Sequence, residues 1–317
     1  MYKVMEQNLS NLGIKPISEA TSEAVAYIKA RKEHTIKSLE TRWKKLNSCC
    51  MGGIEPNTIY TITGISGSGK SSVANLIETD LIDLNPKEDV IVLSFTLEMP
   101  SFKQIGRKFS NKLRKTTSYL YSSSHDIDDV TYNGVLSIAK ELSKYNIYYV
   151  DTPGTPSEVE TIIYNFYNTN VKNKHKYFVI LYDHALLTRQ AGSVIETISD
   201  LQQVFIRVKK LPLTSIVELS QMNRNIESPE RINNPNSHFP MRSDISSSDS
   251  VYQASDYVIV IHRPETLGIT EYGPQRWPVN NKVYFHILKN RDAGKPAILE
   301  FENDLQFNNL IEPEKDE

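Results

Sequence analysis

The sequence predicts an α/β fold, with a mostly parallel, twisted sheet, helices on both faces and a late β-hairpin. Two observations carry this expectation. Over most of the 317 residues, short apolar runs rich in Val, Ile and Tyr alternate with stretches of helical period, the pattern of parallel strands buried on both sides. A glycine-rich turn, Gly64-Ile65-Ser66-Gly67-Ser68-Gly69-Lys70-Ser71, stands between the first such strand and the helix that follows it.

Taken in order, residues 18–46 read as a helix, with Ser18 at its N-cap and a thin apolar stripe of Ala24, Ile28, Ile36 and Leu39. So thin a stripe cannot stabilise a lone helix, so this arm is expected to dock on something. A turn-rich stretch at 51–56 marks a domain boundary. Strands follow at 59–63, 90–95, 147–150, 177–182, 215–219, 257–262, 283–288 and 297–302. Helices are expected at 71–84, 101–113, 132–144, 157–167 and 195–210. The last two strands are close enough to pair through 290–295. Residues 225–251 break the rhythm with no apolar period and many Asn and Ser; so long an irregular stretch is usually functional or disordered. The expected division is an arm at 1–50, one large α/β domain at 51–310, and a frayed acidic tail at 311–317.

Composition bounds the function. Hydrophobic residues make up 39% and charged residues 23%, an ordinary globular balance. No apolar run is long enough for a membrane span, and no signal peptide is apparent, so a cytoplasmic location is expected. The two cysteines, Cys49 and Cys50, are neighbours and read as reduced thiols. A net charge of −2 argues against a cationic whole-surface nucleic-acid binder, yet leaves room for a protein that grips phosphates with a few local donors.

The segment Gly64–Ser71 satisfies GxxxxGK[ST] in the strand–loop–helix setting that the chemistry needs. Gly64, Gly67 and Gly69, with Ser66, Ser68 and Ser72 around them, let backbone amides turn toward a polyphosphate at a helix N-terminus. Lys70 is expected to reach the β- and γ-phosphates, and Ser71 to ligate Mg²⁺. The apolar run Tyr177-Phe178-Val179-Ile180-Leu181-Tyr182 ends in Asp183, the second carrier of the metal. ATP and Mg²⁺ are the cofactors this implies.

Five further segments narrow the family. Thr96-Leu97-Glu98-Met99-Pro100, Ile147-Tyr148-Tyr149-Val150-Asp151-Thr152-Pro153-Gly154, Leu219-Ser220-Gln221-Met222-Asn223-Arg224, the region from Arg242 to Asp256, and Lys289-Asn290-Arg291 occur in this order. Together they resemble the RecA-like ATPase domain of DnaB-like replicative helicases, over residues 41–307. The resemblance implies a minimal or phage-type ATP-driven helicase that lacks the N-terminal primase-binding domain. Glu98 would polarise the attacking water. Gln221 would sense the γ-phosphate, and Arg107 would lie near the nucleotide. Lys289 and Arg291 would reach a neighbouring subunit's ATP, Arg291 as a finger that stabilises developing charge.

If those cations act in trans, the enzyme is a homo-oligomer, expected to be a hexameric ring with the arm docked on a neighbour. Single-stranded DNA is then the track, and a primase or helicase loader a partner. The strand-contacting loop is expected at 242–250, through Arg242, Ser246, Ser247 and Ser248, with help from Arg231. Its run of serines departs from the family pattern, which predicts weaker and less salt-sensitive binding. Two other readings remain open on the sequence: a RecA- or RadA-like recombination ATPase, and an ATP-dependent scaffold or loader that does not unwind.

Overall fold

A computed structural model describes residues 14–246, 248–292, 294 and 296–313. The chain divides between Ser38 and Leu39 into two compact units. In the first, helix α1 (Ile17–Lys32) has no buried residue; Ile28 of its stripe is exposed, as is the neighbouring Val25. The helix expected to run to residue 46 stops at Lys32. His34 adopts a left-handed backbone (φ 56°), and the amides of Thr35 and Ile36 turn back to the carbonyl of Ala30, which closes the last turn.

The second unit therefore starts well before the turn at 51–56. Leu39, Trp43, Leu46 and Cys50 are buried in its core, the last two on or beside α2 (Lys44–Cys49). Trp43 donates its indole N–H to the carbonyl of Leu310 at 3.0 Å. Arg42 pairs with Asp80 at 2.7 Å. Leu39 and Ile54 bridge two chain segments, and a Cβ on Gly53 would lie 2.1 Å from the Leu39 carbonyl oxygen. Only glycine permits that approach.

The unit is built on a sheet of nine strands in the order β3-β2-β4-β5-β1-β6-β7-β8-β9. The strands are β1 (Ile59–Thr63), β2 (Val90–Thr96), β3 (Ile147–Val150), β4 (Tyr177–Asp183), β5 (Thr214–Leu219), β6 (Tyr257–His262), β7 (Lys282–Asn290), β8 (Ala297–Asp304) and β9 (Asn309–Ile311). β1 to β6 pair in parallel, and β6 to β9 in antiparallel. Alternate side chains of each central strand enter different cores. Val90 and Val92 join one cluster with Trp43, Leu76 and Phe285. Ile91 and Leu93 join the other with Ile163, Leu201 and Phe205. This two-sided burial is why the strands read as continuous apolar runs.

Five helices follow the strands: α3 (Lys70–Asp83), α4 (Ser101–Leu113), α6 (Asp129–Leu142), α7 (Pro156–Phe166) and α8 (Val194–Val208). The sequence did not indicate α5 (Thr117–Tyr121) or β9, each too short to show a period. Among the described residues of 225–251 no element is long, as expected. They hold α9 (Pro229–Ile232) and the start of α10 (Ser248–Ala254). Partly buried Arg231 ties the segment together through Asp244 at 2.7 Å and the carbonyls of Ser237 and Phe239. Arg231, expected to help hold a nucleic acid, is thus engaged within the segment by Asp244 and two carbonyls. Cys49 and Cys50 are free thiols, and no described helix is long and apolar enough to cross a membrane.

Candidate nucleotide site

One crevice collects the ends of five strands. The glycine-rich loop leaves β1, Glu98 follows β2, Asp183 ends β4, Gln221 follows β5, and Arg263 follows β6. Ligands of open α/β sheets bind at such carboxyl ends. The crevice holds a cavity of about 250 Å³. Ser66, Gly67, Gly69, Lys70, Ser71 and Ser72 form its floor. Glu98, Arg107 and Gln221 stand around it, as the sequence predicts.

Local geometry explains the loop. Gly69 caps α3 with φ 102°, a left-handed conformation, and a Cβ there would meet Leu305 at 2.9 Å. Lys70 donates to the carbonyls of Gly64 (2.9 Å) and Ile65 (2.8 Å), so its ammonium is centred in the loop. Burial lowers its pKa, while Asp183 and Glu98 oppose the shift. Ser68 is buried beneath the loop, and its Oγ has no hydrogen-bond partner.

Asp183 is buried and its pKa is pushed up to about 6, first by burial and then by the charge of Glu98. Ser71, Arg107 and Lys70 act in the opposite direction. Its Oδ1 is enclosed without a hydrogen-bond partner. A buried carboxylate oxygen without a partner, beside a serine hydroxyl, suits a hard divalent cation.

Glu98 is exposed to the crevice, and its Oε2 lies 4.0 Å from Nε2 of His184. The turn that carries Glu98 is clamped at both ends by Asp151. That carboxylate accepts from Thr96 Oγ1 at 2.5 Å and from Ser101 Oγ at 2.9 Å. Burial lowers the pKa of His184, with Glu98 opposing the shift and Lys70 adding to it.

His184, Arg263 and Leu305 also line the cavity, and no sequence motif had singled them out. The available signal was position: His184 follows Asp183, and Arg263 is the first residue beyond β6. Arg263 donates to the Gly67 carbonyl at 3.0 Å, which sets a guanidinium over the loop. Its Nε, like Nη1 of Arg107, is buried without a hydrogen-bond partner. Neither arginine forms an ion pair among the described residues. Three cations thus converge on a cavity whose glycine-rich wall offers amides, an arrangement suited to an anion of several phosphates.

Two other groups of predicted residues lie elsewhere in this unit. Lys289 and Arg291 do not line the cavity. Lys289 donates to the carbonyls of Tyr252 (2.5 Å) and Gln253 (3.3 Å), and Arg291 pairs with Asp256 at 2.9 Å. The loop at 242–250 borders an open hollow lined by Ser199, Asn223, Ser243 and Ser246. Arg242 pairs with Asp249 at 2.6 Å and lies over the ring of Tyr252. Ser248 opens α10, and Ser247 lies outside the described residues.

A hydrogen-bonded ladder joins that loop to the cavity. The Ser246 amide donates to the Gln221 carbonyl (2.9 Å), and the Asn223 amide to the Asp244 carbonyl (2.7 Å). Met222 and Ile245 pair between them.

The family model described as the DnaB-like helicase C-terminal domain matches residues 20–309. The chain belongs to that family. Its DnaB-like relatives include the replicative DNA helicase DnaB of Buchnera aphidicola subsp. Schizaphis graminum, 25% identical over 84% of this chain and 56% of that protein. The replicative DNA helicase DnaB of Pasteurella multocida is 26% identical over 67% of this chain and 44% of that protein. The chain spans about half the length of the curated DnaB proteins it matches. Among solved structures, an ATPase domain superposes with a TM-score of 0.78 at 19% identity, covering 95% of this chain and 100% of that one. A DnaB-like replicative helicase, described with its interactions with primase, gives 0.74 at 20% identity, covering 99% of this chain and 75% of that one. These two likenesses carry the RecA-like DnaB fold.

Proposed function

We propose that this chain is an ATP-hydrolysing motor that moves along single-stranded DNA during replication. The observation that carries the reading is the ladder between Gln221, at the cavity, and Ser246, on the loop expected to hold the strand. A change at the γ-phosphate then has a rigid route to the nucleic acid.

In this reading Lys70, Arg107 and Arg263 bind the polyphosphate, and the loop amides complete its cradle. Ser71 and Asp183 would hold Mg²⁺, which would supply charge neutralisation to the polyphosphate. Glu98 orients the attacking water and accepts its proton, with His184 beside it. Phosphoryl transfer also needs cations on the transferred group. Lys289 and Arg291 supply them from a second copy, because in their own chain they stand apart from the cavity. The assembly is a ring of six copies, with α1 docked on a neighbour, where its exposed stripe is covered. Its setting is cytoplasmic, and the likeness to a helicase described with primase makes a primase the partner to test.

The decisive test measures ATP turnover and forked-DNA unwinding, with light scattering for the oligomer. Magnesium-dependent turnover, stimulation by single strands and strand separation are expected, each lost in Glu98→Ala. A monomer with full turnover would refute the ring. Turnover without translocation would favour a scaffold, a reading that the Arg242–Asp249 pair supports by neutralising the loop's cation.

A further inference from the structure

The Arg291 guanidinium is held from one side. Nη1 lies 2.9 Å from Asp256 Oδ1. Nη2 donates to the carbonyls of Gln253 (3.2 Å) and Ser255 (3.5 Å), just where α10 ends. The Arg291 amide also donates to the Asp256 carbonyl at 3.0 Å. A guanidinium carries five N–H donors in one plane, so these contacts leave donors on its open side. Half of the side chain remains exposed (48%).

Asp256 itself cannot move freely. It is buried at 4% exposure, and its Oδ2 accepts from the Ile59 amide (2.8 Å) and Lys209 Nζ (2.7 Å). Ile59 is the first residue of β1, the strand that delivers the glycine-rich loop. One carboxylate thus ties Arg291 to the strand that carries the chain's own site. A group locked by its own partners and gripping a charged side chain is what a preorganised cation requires.

We propose that Asp256 is a positioning residue for Arg291, fixing the plane in which the guanidinium meets the phosphate of a neighbouring copy. The proposal rests on the trans role of Lys289 and Arg291. Asp256 touches no nucleotide. It sets where an exposed, flexible side chain points, and so shortens the search for the transition-state geometry.

The test uses the full chain, with ATP turnover at saturating Mg²⁺ and single-stranded oligonucleotide. Asp256→Asn keeps an acceptor for the Ile59 amide and removes the charge that holds Arg291. Its kcat is expected to fall about 10- to 100-fold, the scale for removing a supporting group behind a reacting one, with KM for ATP unchanged. The double variant Asp256→Asn/Arg291→Ala should be no slower than Arg291→Ala alone. Multiplied losses, an unchanged kcat, or a loss seen only in KM would overturn the proposal. Arg291→Ala at the wild-type rate would sink the trans reading itself, whereas a slow Arg291→Ala beside a normal Asp256→Asn would remove only the positioning role. If Asp256→Asn does not fold, Arg291→Lys carries the test. An ammonium cannot stay anchored on Asp256 and present a second fixed donor, so turnover near that of Arg291→Ala is expected, and the wild-type rate would overturn the proposal.

Discussion

The Ser246 main-chain amide donates to the Gln221 carbonyl at 2.9 Å, so the last lining residue beyond β5 and the serine loop share a hydrogen bond that needs neither side chain. Ser246→Ala should therefore leave communication intact, while Ser246→Pro removes the donor. We expect Ser246→Pro to bind nucleotide normally and to lose stimulation of turnover by single strands. Linked sites typically influence each other about 5- to 150-fold, and that is the range to look for. Equal loss in both variants would show that the hydroxyl, and not the ladder, is the contact.

The phosphate loop gives a second pair of outcomes. Lys70→Ala should depress turnover by about 10²- to 10³-fold, the usual loss for one donor to a developing charge, without change in the melting profile. Gly69→Ala forces a side chain into a left-handed backbone against Leu305. It should lower stability by about 1–3 kcal/mol, as such backbone strain does. Calorimetry and steady-state turnover separate the two effects.

Asp183 predicts a pH limb. Its pKa, pushed up to about 6 by burial and by Glu98, means that it holds a proton in acid and must release it to ligate a metal. Apparent Mg²⁺ affinity should be flat above pH 7 and fall about tenfold per unit below 6, as proton competition requires. In the metal-free chain the raised value favours folding at low pH. That contribution is complete below the ordinary aspartate range and is lost as pH rises through 6. Added Mg²⁺ and nucleotide should therefore raise the melting temperature more at pH 7.5 than at pH 5.

Glu218 predicts a separate stability slope. It is fully buried on β5, where Thr61 Oγ1 (2.6 Å) and Gln202 Nε2 (2.7 Å) donate to it. Burial pushes its pKa up to about 7, opposed by those two hydrogen bonds. Stability from this group is present below pH 4.5 and disappears as pH rises through 7. Glu218→Gln should flatten that slope and stabilise the chain at pH 8 by an amount on the order of 3 kcal/mol. Urea melts at three pH values check this, and an unchanged slope would mean that the carboxyl stays ionised.

The boundary between the units is testable by truncation. Removing residues 1–38 should leave a folded ATPase-type core, because none of α1 is buried. Trp43→Ala should cost about 3–5 kcal/mol, the range for emptying a large aromatic site, because Trp43 is fully buried and anchored to Leu310. Equal destabilisation by the truncation would contradict the division at Ser38.

How much of this was legible depended on range. The strands from β1 to β8 were visible because apolar runs and turns are local signals, and the loop at 64–71 because its chemistry fixes both composition and context. Trp43 was assigned to an arm, since nothing near it in sequence reveals that Leu310 accepts its N–H. Arg231 was read as a helper of the strand-contacting loop, and its pairing with Asp244 was not legible because Asp244 lies thirteen residues on, in a segment without a period. Arg263 was missed because a single arginine after a strand carries no pattern.

By itself, then, the sequence determined the α/β alternation, the phosphate loop with its cations and carboxylates, and membership of the helicase family. The tertiary structure decided which charges are available. Arg231 and Arg242 are paired with Asp244 and Asp249, whereas Arg107 and Arg263 line the cavity without an ion pair among the described residues. It also set Arg291 on Asp256 and Gln221 on Ser246. The reason is physical: periodicity and composition fix local conformation, but a side chain's free charge and direction depend on partners that only packing brings within hydrogen-bond reach.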